Sequence, residues 1–162
     1  MLINILIIIV GIFVALAFES FFVSLFSLSV VIILALLLSQ TWDWKRWVFV
    51  VSIVAIFTDV VLHRALGFTL LSISLSTGVL YLLFTVMPKK QVLLSYIPYF
   101  ISLLIFYILI NIFSPFLVDG ALGQLTGSLI LGVFIKSVIS TLIIFVINIV
   151  SDRFRSDGGI RI

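Results

Sequence analysis

There is no cysteine in these 162 residues, and there are only one histidine and three prolines. Without cysteine the chain forms no disulfide, no thiolate metal site and no cysteine nucleophile. A single histidine leaves no room for a His-Glu-x-x-His zinc motif. No Ser-His-Asp set stands out, and there is no glycine-rich phosphate loop. Charge is scarce too. Asp, Glu, Lys and Arg make up 9% of the chain, against about 25% in an average soluble domain. These absences argue against an enzyme and imply no cofactor and no resident metal.

Apolar residues fill the gap, at 64% of the chain. A soluble fold of this size cannot hide so much apolar surface, because small domains keep a large surface for their volume. Lipid can. A membrane helix needs about 20 mainly apolar residues, and this sequence is a string of such runs with short polar breaks. The expected fold is therefore all-α: a polytopic bundle of six transmembrane helices. They are expected at about Leu2–Phe18, Phe21–Leu38, Trp47–Leu62, Leu66–Val86, Val92–Phe113 and Leu125–Val150. Residues 1–150 then form one transmembrane domain, and 151–162 form a basic cytoplasmic tail. Glu19 and Ser20 mark the first break, Pro88-Lys89-Lys90 stops the fourth helix, and Pro98 marks a kink near the start of the fifth. Ser114–Gln124 reads as a loop. Ala15-Leu16-Ala17 has the form of a signal-peptidase site, but no Lys or Arg precedes it, so the segment is read as the first helix. No internal repeat and no low-complexity linker is evident.

The net charge is +3, from 9 basic and 6 acidic residues. In a soluble protein such an excess would suit a nucleic-acid partner. Here the basic residues flank apolar runs, where they set orientation. With both termini in the cytoplasm of a plasma membrane, seven basic residues fall inside: Lys45, Arg46, Lys89, Lys90, Arg153, Arg155 and Arg161. Only Arg64 falls in an outer loop, which favours an even number of spans. Trp42, Trp44 and Trp47 cluster at the cytoplasmic end of the third helix. Indole favours the headgroup zone, so the three read as a membrane-interface anchor, with a protein-docking patch as the sharper alternative.

Intramembrane charges need a reason. Glu19, Asp59 and Asp119 fall at outer helix ends or in an outer loop. Asp59 sits one turn before the end of its helix, with His63 four residues on and Arg64 and Gly67 close by. A carboxylate there can accept hydrogen bonds from the backbone N–H groups that open the next helix. A ligand or proton site is the alternative, and two candidate metal ligands without a third make a weak signal. Lys136 belongs to a stripe with Ser128, Gly132, Ser140 and Asn148 at multiples of four. Ser74, Thr77, Gly78, Tyr81 and Thr85 make a similar stripe on the fourth helix, and Ser20, Ser24 and Ser27 on the second. Such stripes let membrane helices pack closely. Alternatively they line a polar cavity in which Lys136 meets an anion, or Lys136 pairs with an acid on a partner's helix.

The stretch Phe57-Thr58-Asp59-Val60-Val61-Leu62-His63-Arg64-Ala65-Leu66-Gly67 resembles the bacterial rod shape-determining MreD family. There an apolar helix ends in Asp, a short polar turn follows, and a Leu-Gly pair precedes the next helix. Asp59, Leu66 and Gly67 match at the expected spacing, and Leu70-Leu71-Ser72 through Tyr81-Leu82 continues in the same style. The family's turn is of Ser-Gly type, whereas Leu62-His63-Arg64 is bulkier and charged. The resemblance implies a non-enzymatic scaffold of the cell-wall elongation complex. Its partners would be an MreC-like scaffold and, through it, an MreB-like filament and peptidoglycan synthases. The family is also similar in structure to the substrate-binding subunits of energy-coupling-factor vitamin transporters. Gly11 and Ala15 match the spacing of small residues in their first helix. That leaves a small-ligand-binding subunit as the alternative, although the short outer loops offer few polar groups to grip a ligand.

Overall fold

A computed structural model describes residue 14 and residues 16–87, 94–119 and 126–157; the side chains of 94, 114–119, 152 and 154–157 are outside that description. Leu2, Gly11, Ala15, Pro88, Lys89, Lys90, Val92, Leu125 and Arg161, which enter the expectations above, lie outside it, as does the Arg155 side chain. Six helices make up the described chain. They are α1 (Leu16–Phe26), α2 (Val30–Thr41), α3 (Trp44–Val61), α4 (Phe68–Val86), α5 (Ile97–Asp119) and α6 (Gly127–Asp157). A 3-10 turn, Leu94–Tyr96, leads into α5. Among the described residues there is no strand.

Among the described residues, two helices, Phe68–Val86 in α4 and Gly127–Ser151 in α6, are long and apolar enough to cross a membrane. The segments Leu16–Phe26, Val30–Thr41 and Ile97–Phe113 are apolar but shorter. The apolar helix α3 carries Lys45, Arg46 and Asp59. α5 is central, packing most extensively on α4 and α6 and also touching α2.

Helix boundaries differ from expectation where the apolar run offers no landmark. α1 passes through Glu19 and Ser20 and ends only at Phe26, so Ser20 and Ser24 belong to α1 and not to α2. The break comes at Ser27, whose left-handed φ of 53° turns the chain. The helical pattern could not show this, because apolar residues run on both sides of Glu19. α5 continues to Asp119, into the segment expected as a loop. Pro98 stands second in α5, in the first turn, where its missing N–H removes no intrahelical bond. α6 continues to Asp157, into the expected tail; the first helix breakers after Val150 are Gly158 and Gly159.

Inside and outside are both apolar. The core holds Ile32, Leu36, Ile73, Leu80, Leu103, Phe106 and Ile144. Phe18, Phe21, Leu25, Phe49, Leu71, Leu82, Leu131 and Leu142 point outward. Buried hydroxyls thread the core instead: Thr69, Ser72, Ser76 and Thr77 on α4, Ser102 on α5, Ser137 and Ser140 on α6. On α4 this buried face differs from the expected stripe, for Ser74, Gly78, Tyr81 and Thr85 are exposed. Two polar rows run along α4, and spacing alone does not choose between them. Thr77 and Ser137 return their hydroxyls to the carbonyls of Ile73 and Val133, four residues back, at 2.8 and 2.9 Å. Ser72, Ser76 and Ser102 hydroxyls have no partner among the described residues. They act as small residues that let α4 and α5 approach.

Ser72→Ala, Ser76→Ala and Ser102→Ala are therefore expected to leave thermal stability in detergent unchanged or slightly raised, since each removes an unsatisfied buried hydroxyl. Ser102→Leu should lower stability by about 1–3 kcal/mol through overpacking.

Candidate functional site

The first four N–H groups of a helix have no partner within it. α2 and α4 meet this need in the same way: a carboxylate from the preceding helix reaches across. Glu19, on α1 and 1% exposed, takes the start of α2. Its Oε2 accepts from the backbone N–H of Val30 at 2.6 Å and of Val31 at 3.0 Å, and its Oε1 accepts from the Ser29 hydroxyl at 2.6 Å. Asp59, at the end of α3 and fully buried, takes the start of α4. Both of its oxygens accept from the Thr69 N–H, at 3.1 and 3.3 Å.

The two hairpins share a register. Glu19 and Asp59 stand forty positions apart. Eight residues after each comes a left-handed residue, Ser27 (φ 53°) and Gly67 (φ 83°). A buried apolar residue follows, Leu28 and Phe68, and then a buried hydroxyl, Ser29 and Thr69. No repeat was expected, because the two stretches share roles more than identities. Asp119 precedes Gly127 by the same eight positions, but its side chain lies outside the described residues.

The α3–α4 turn has its own logic. His63 N–H bonds to the Val60 carbonyl at 3.3 Å and Arg64 N–H to the Asp59 carbonyl at 2.8 Å. With His63 left-handed at φ 51°, this is a Schellman closure of α3, in a position that usually takes glycine. The helix therefore ends before His63, whose exposed side chain leaves the face that carries Asp59. The four-residue spacing therefore does not put His63 on the Asp59 face. Among the described residues no three His, Cys, Asp or Glu side chains gather to hold a metal. Leu66 is 72% exposed.

Arg64 folds back over the turn, where Nη1 donates to the Thr69 hydroxyl at 3.4 Å. Burial pushes its pKa below the ordinary guanidinium value, and the Glu19 and Asp59 carboxylates push it back up. Arginine stays charged under such shifts. Tyr107 of α5 extends the network. Its hydroxyl accepts from the Ser29 N–H at 3.3 Å and shares a hydrogen bond of 2.9 Å with Ser140 of α6. Asn111, one turn on, donates to the Tyr107 carbonyl at 2.7 Å.

A cavity of about 160 Å³ opens among these groups, lined by Ser27, Ser29, Arg64, Tyr107, Asn111 and Lys136, with Val23, Phe106 and Ile110 as its apolar wall. Of the α6 stripe, Ser140 is buried, Lys136, Gly132 and Asn148 are half-buried, and Ser128 is exposed. Ser29 and Tyr107 carry no signal in the helical pattern, and Asn111 carries only that of an amide inside an otherwise apolar run, outside the expected stripes. At the other end of the bundle Tyr81 donates its hydroxyl to the Ser39 carbonyl. Trp47 is buried there, its indole N–H bonded to the Ala35 carbonyl at 2.8 Å and its ring stacked on Trp44. Trp42 and Trp44 are exposed, so the tryptophan cluster has two outward members and one structural one.

No protein-family model, no curated protein and no solved structure matches this chain.

Glu19→Ala strands two buried N–H groups and should cost roughly 2–4 kcal/mol. Asp59→Ala strands one and should cost about 1–2 kcal/mol; thermal unfolding in detergent gives the order. Gly67→Ala should cost about 1–2 kcal/mol through the left-handed backbone alone, since an added Cβ meets nothing within 4 Å. His63→Gly should by contrast raise the melting temperature slightly, because it relieves the same kind of strain.

Proposed function

We propose that this chain is a six-span scaffold of a bacterial plasma membrane, of the MreD kind, serving the peptidoglycan elongation machinery. It acts by contact and carries out no reaction. The membrane reading is supported by the outward apolar faces joined to a core threaded with hydroxyls, an arrangement that water would penalise and lipid would not. Both termini then lie in the cytoplasm, as the basic residues favour.

Helix lengths refine the picture. The 12 residues of α2 span about 18 Å, against a hydrocarbon core of about 30 Å. The start of α2 therefore lies inside the hydrocarbon, where an uncapped N–H has no water to turn to. The buried Glu19 is what allows a helix to begin at that depth.

The observation that carries the MreD reading is the Asp59–Gly67 hairpin. Residues that carry the resemblance also carry the turn: Asp59 caps α4, and Gly67 supplies the left-handed entry to it. Leu66 stands exposed beside them as an apolar contact for an MreC-like partner. The alternative, a vitamin-binding transporter subunit, is less well supported. Ligand pockets usually enclose about 300–1,000 Å³; the cavity between the outer turns encloses about 160 Å³, and the cavity of about 580 Å³ beside Tyr81, Tyr96 and Tyr99 opens at the opposite end, away from the outer side.

A tagged full-length chain should capture an MreC-like protein from membranes, and Asp59→Ala should weaken that capture. Tight binding of a vitamin-sized molecule with no such capture would overturn the scaffold reading. Topology reporters fused at Gln91 and Gly120 should report opposite sides of the membrane; the same side would sink the six-span arrangement.

A further inference from the structure

The cavity between the two capped turns has a surplus of positive charge. Lys136 reaches it from α6 and Arg64 from the α3–α4 turn. Lys136 makes no hydrogen bond or ion pair with any described residue, whereas Arg46 pairs with Asp43 on the surface. The nearby acids are engaged. Glu19 serves the start of α2, and Asp59 the start of α4. Each helix start carries about half a positive charge. Two cations and two helix starts thus outweigh two carboxylates by about one charge.

The remaining donors suit an oxyanion. Arg64 presents a planar fork, and only Nη1 is occupied, by a long bond to Thr69. Lysine brings three N–H donors that match phosphate as a point charge. The Ser27 hydroxyl sits at the exposed edge, while the Tyr107 and Ser29 hydroxyls are already bonded within the protein. At about 160 Å³ the cavity has room for about five waters, or for one phosphate group.

Depth says where such a group would come from. Lys136 lies nine residues into α6 and Asn111 eight before the end of α5, so the cavity sits about 12–14 Å below the α5–α6 connection. In the membrane reading that is the level at which α2 starts, on the outer side of the bundle, so the group would enter from the outer face. We propose that this cavity binds a phosphate oxyanion, held by Lys136 and Arg64, either on an anionic lipid headgroup or free in solution. The inference uses the membrane reading but not the scaffold reading. It is scored by anion binding and not by partner capture, so each can fail without the other.

The test uses the full-length protein in neutral detergent, with melting temperature and calorimetric titration as readouts. The probes are dioctanoyl phosphatidylglycerol, dioctanoyl phosphatidylcholine as the zwitterionic control, and inorganic phosphate. Phosphatidylglycerol should raise the melting temperature by about 5 °C at a hundredfold excess over its Kd. Lys136→Met should weaken its binding by about tenfold or more, and Lys136→Arg should keep it. Binding by inorganic phosphate that competes with the lipid assigns a soluble source; binding by the lipid alone assigns a headgroup. If Lys136→Met fails to fold, Ser27→Asp decides. It sets a carboxylate at the cavity's exposed edge, in a left-handed position that Asp tolerates, and should abolish binding in a folded protein. The proposal is overturned if neither anion binds, if phosphatidylcholine binds as well as phosphatidylglycerol, or if the folded variants bind like the wild type.

Discussion

Everything at one end of this bundle depends on the need to satisfy backbone N–H groups where a helix starts away from water. In an apolar surround an unpaired N–H costs several kcal/mol, comparable to a large part of the stability of a whole domain. A local cap offers one side-chain oxygen and ties the helix only to itself. Here the caps are distant. Glu19 belongs to α1 and serves α2, and Asp59 belongs to α3 and serves α4. Each bond that satisfies a helix start therefore also fixes how two helices meet. The residues at the cap positions themselves make no capping bond: Gly67 has no side chain, and Ser29 turns its hydroxyl toward Glu19.

From these two caps the constraint spreads. Ser29 gives its N–H to Tyr107, and Tyr107 is joined to Ser140, so four helices are tied through one short run of polar atoms. Such a network is stable only when every member is satisfied, and it then specifies one arrangement of otherwise interchangeable apolar surfaces. The α4–α5 seam works differently. Its Ser72, Ser76 and Ser102 hydroxyls are unpaired, and small size is their contribution. The polar residues of the core thus fall into two groups, one that sets geometry by bonding and one that permits approach by being small.

Much of the fold was legible in the sequence, for reasons that also explain what was not. Helix number and the all-helical class follow from run length and punctuation, which survive any choice of face. Asp59 was legible because it stands beside a turn with glycine at the right distance. Glu19 was visible as a costly charge but was placed at a helix end, because a charge in an apolar run reads as a break; in the structure it is buried within α1 and reaches the next helix. Helix faces were not legible on α4, where Ser74, Gly78 and Tyr81 point out while Ser72 and Ser76 point in. In a soluble helix the wet side is polar and the pattern has a sign. When the exterior is as apolar as the core, periodicity loses that sign. The shared register of the two hairpins escaped for another reason: Glu and Asp, Ser and Gly, or Ser and Thr perform the same tasks without being the same letters.

The capping arrangement also decides how Arg64 and Lys136 differ. Arg64 is the counter-ion that two buried carboxylates require, since it feels both and closes over the turn that one of them organises. Removing it would leave uncompensated charge, so a structural role explains its presence. Lys136 has no such account. The acids at its level are already bonded to helix starts, and in the membrane reading its length would let it reach the surface from a helix end but not from the tenth position of α6. A half-buried ammonium facing a cavity is costly unless something negative arrives to meet it. The two backbone-capping acids cannot serve, because giving up their N–H partners would forfeit the bonds that let α2 and α4 begin where they do. No described acid is therefore free to meet Lys136, and that is the gap the proposed oxyanion would fill.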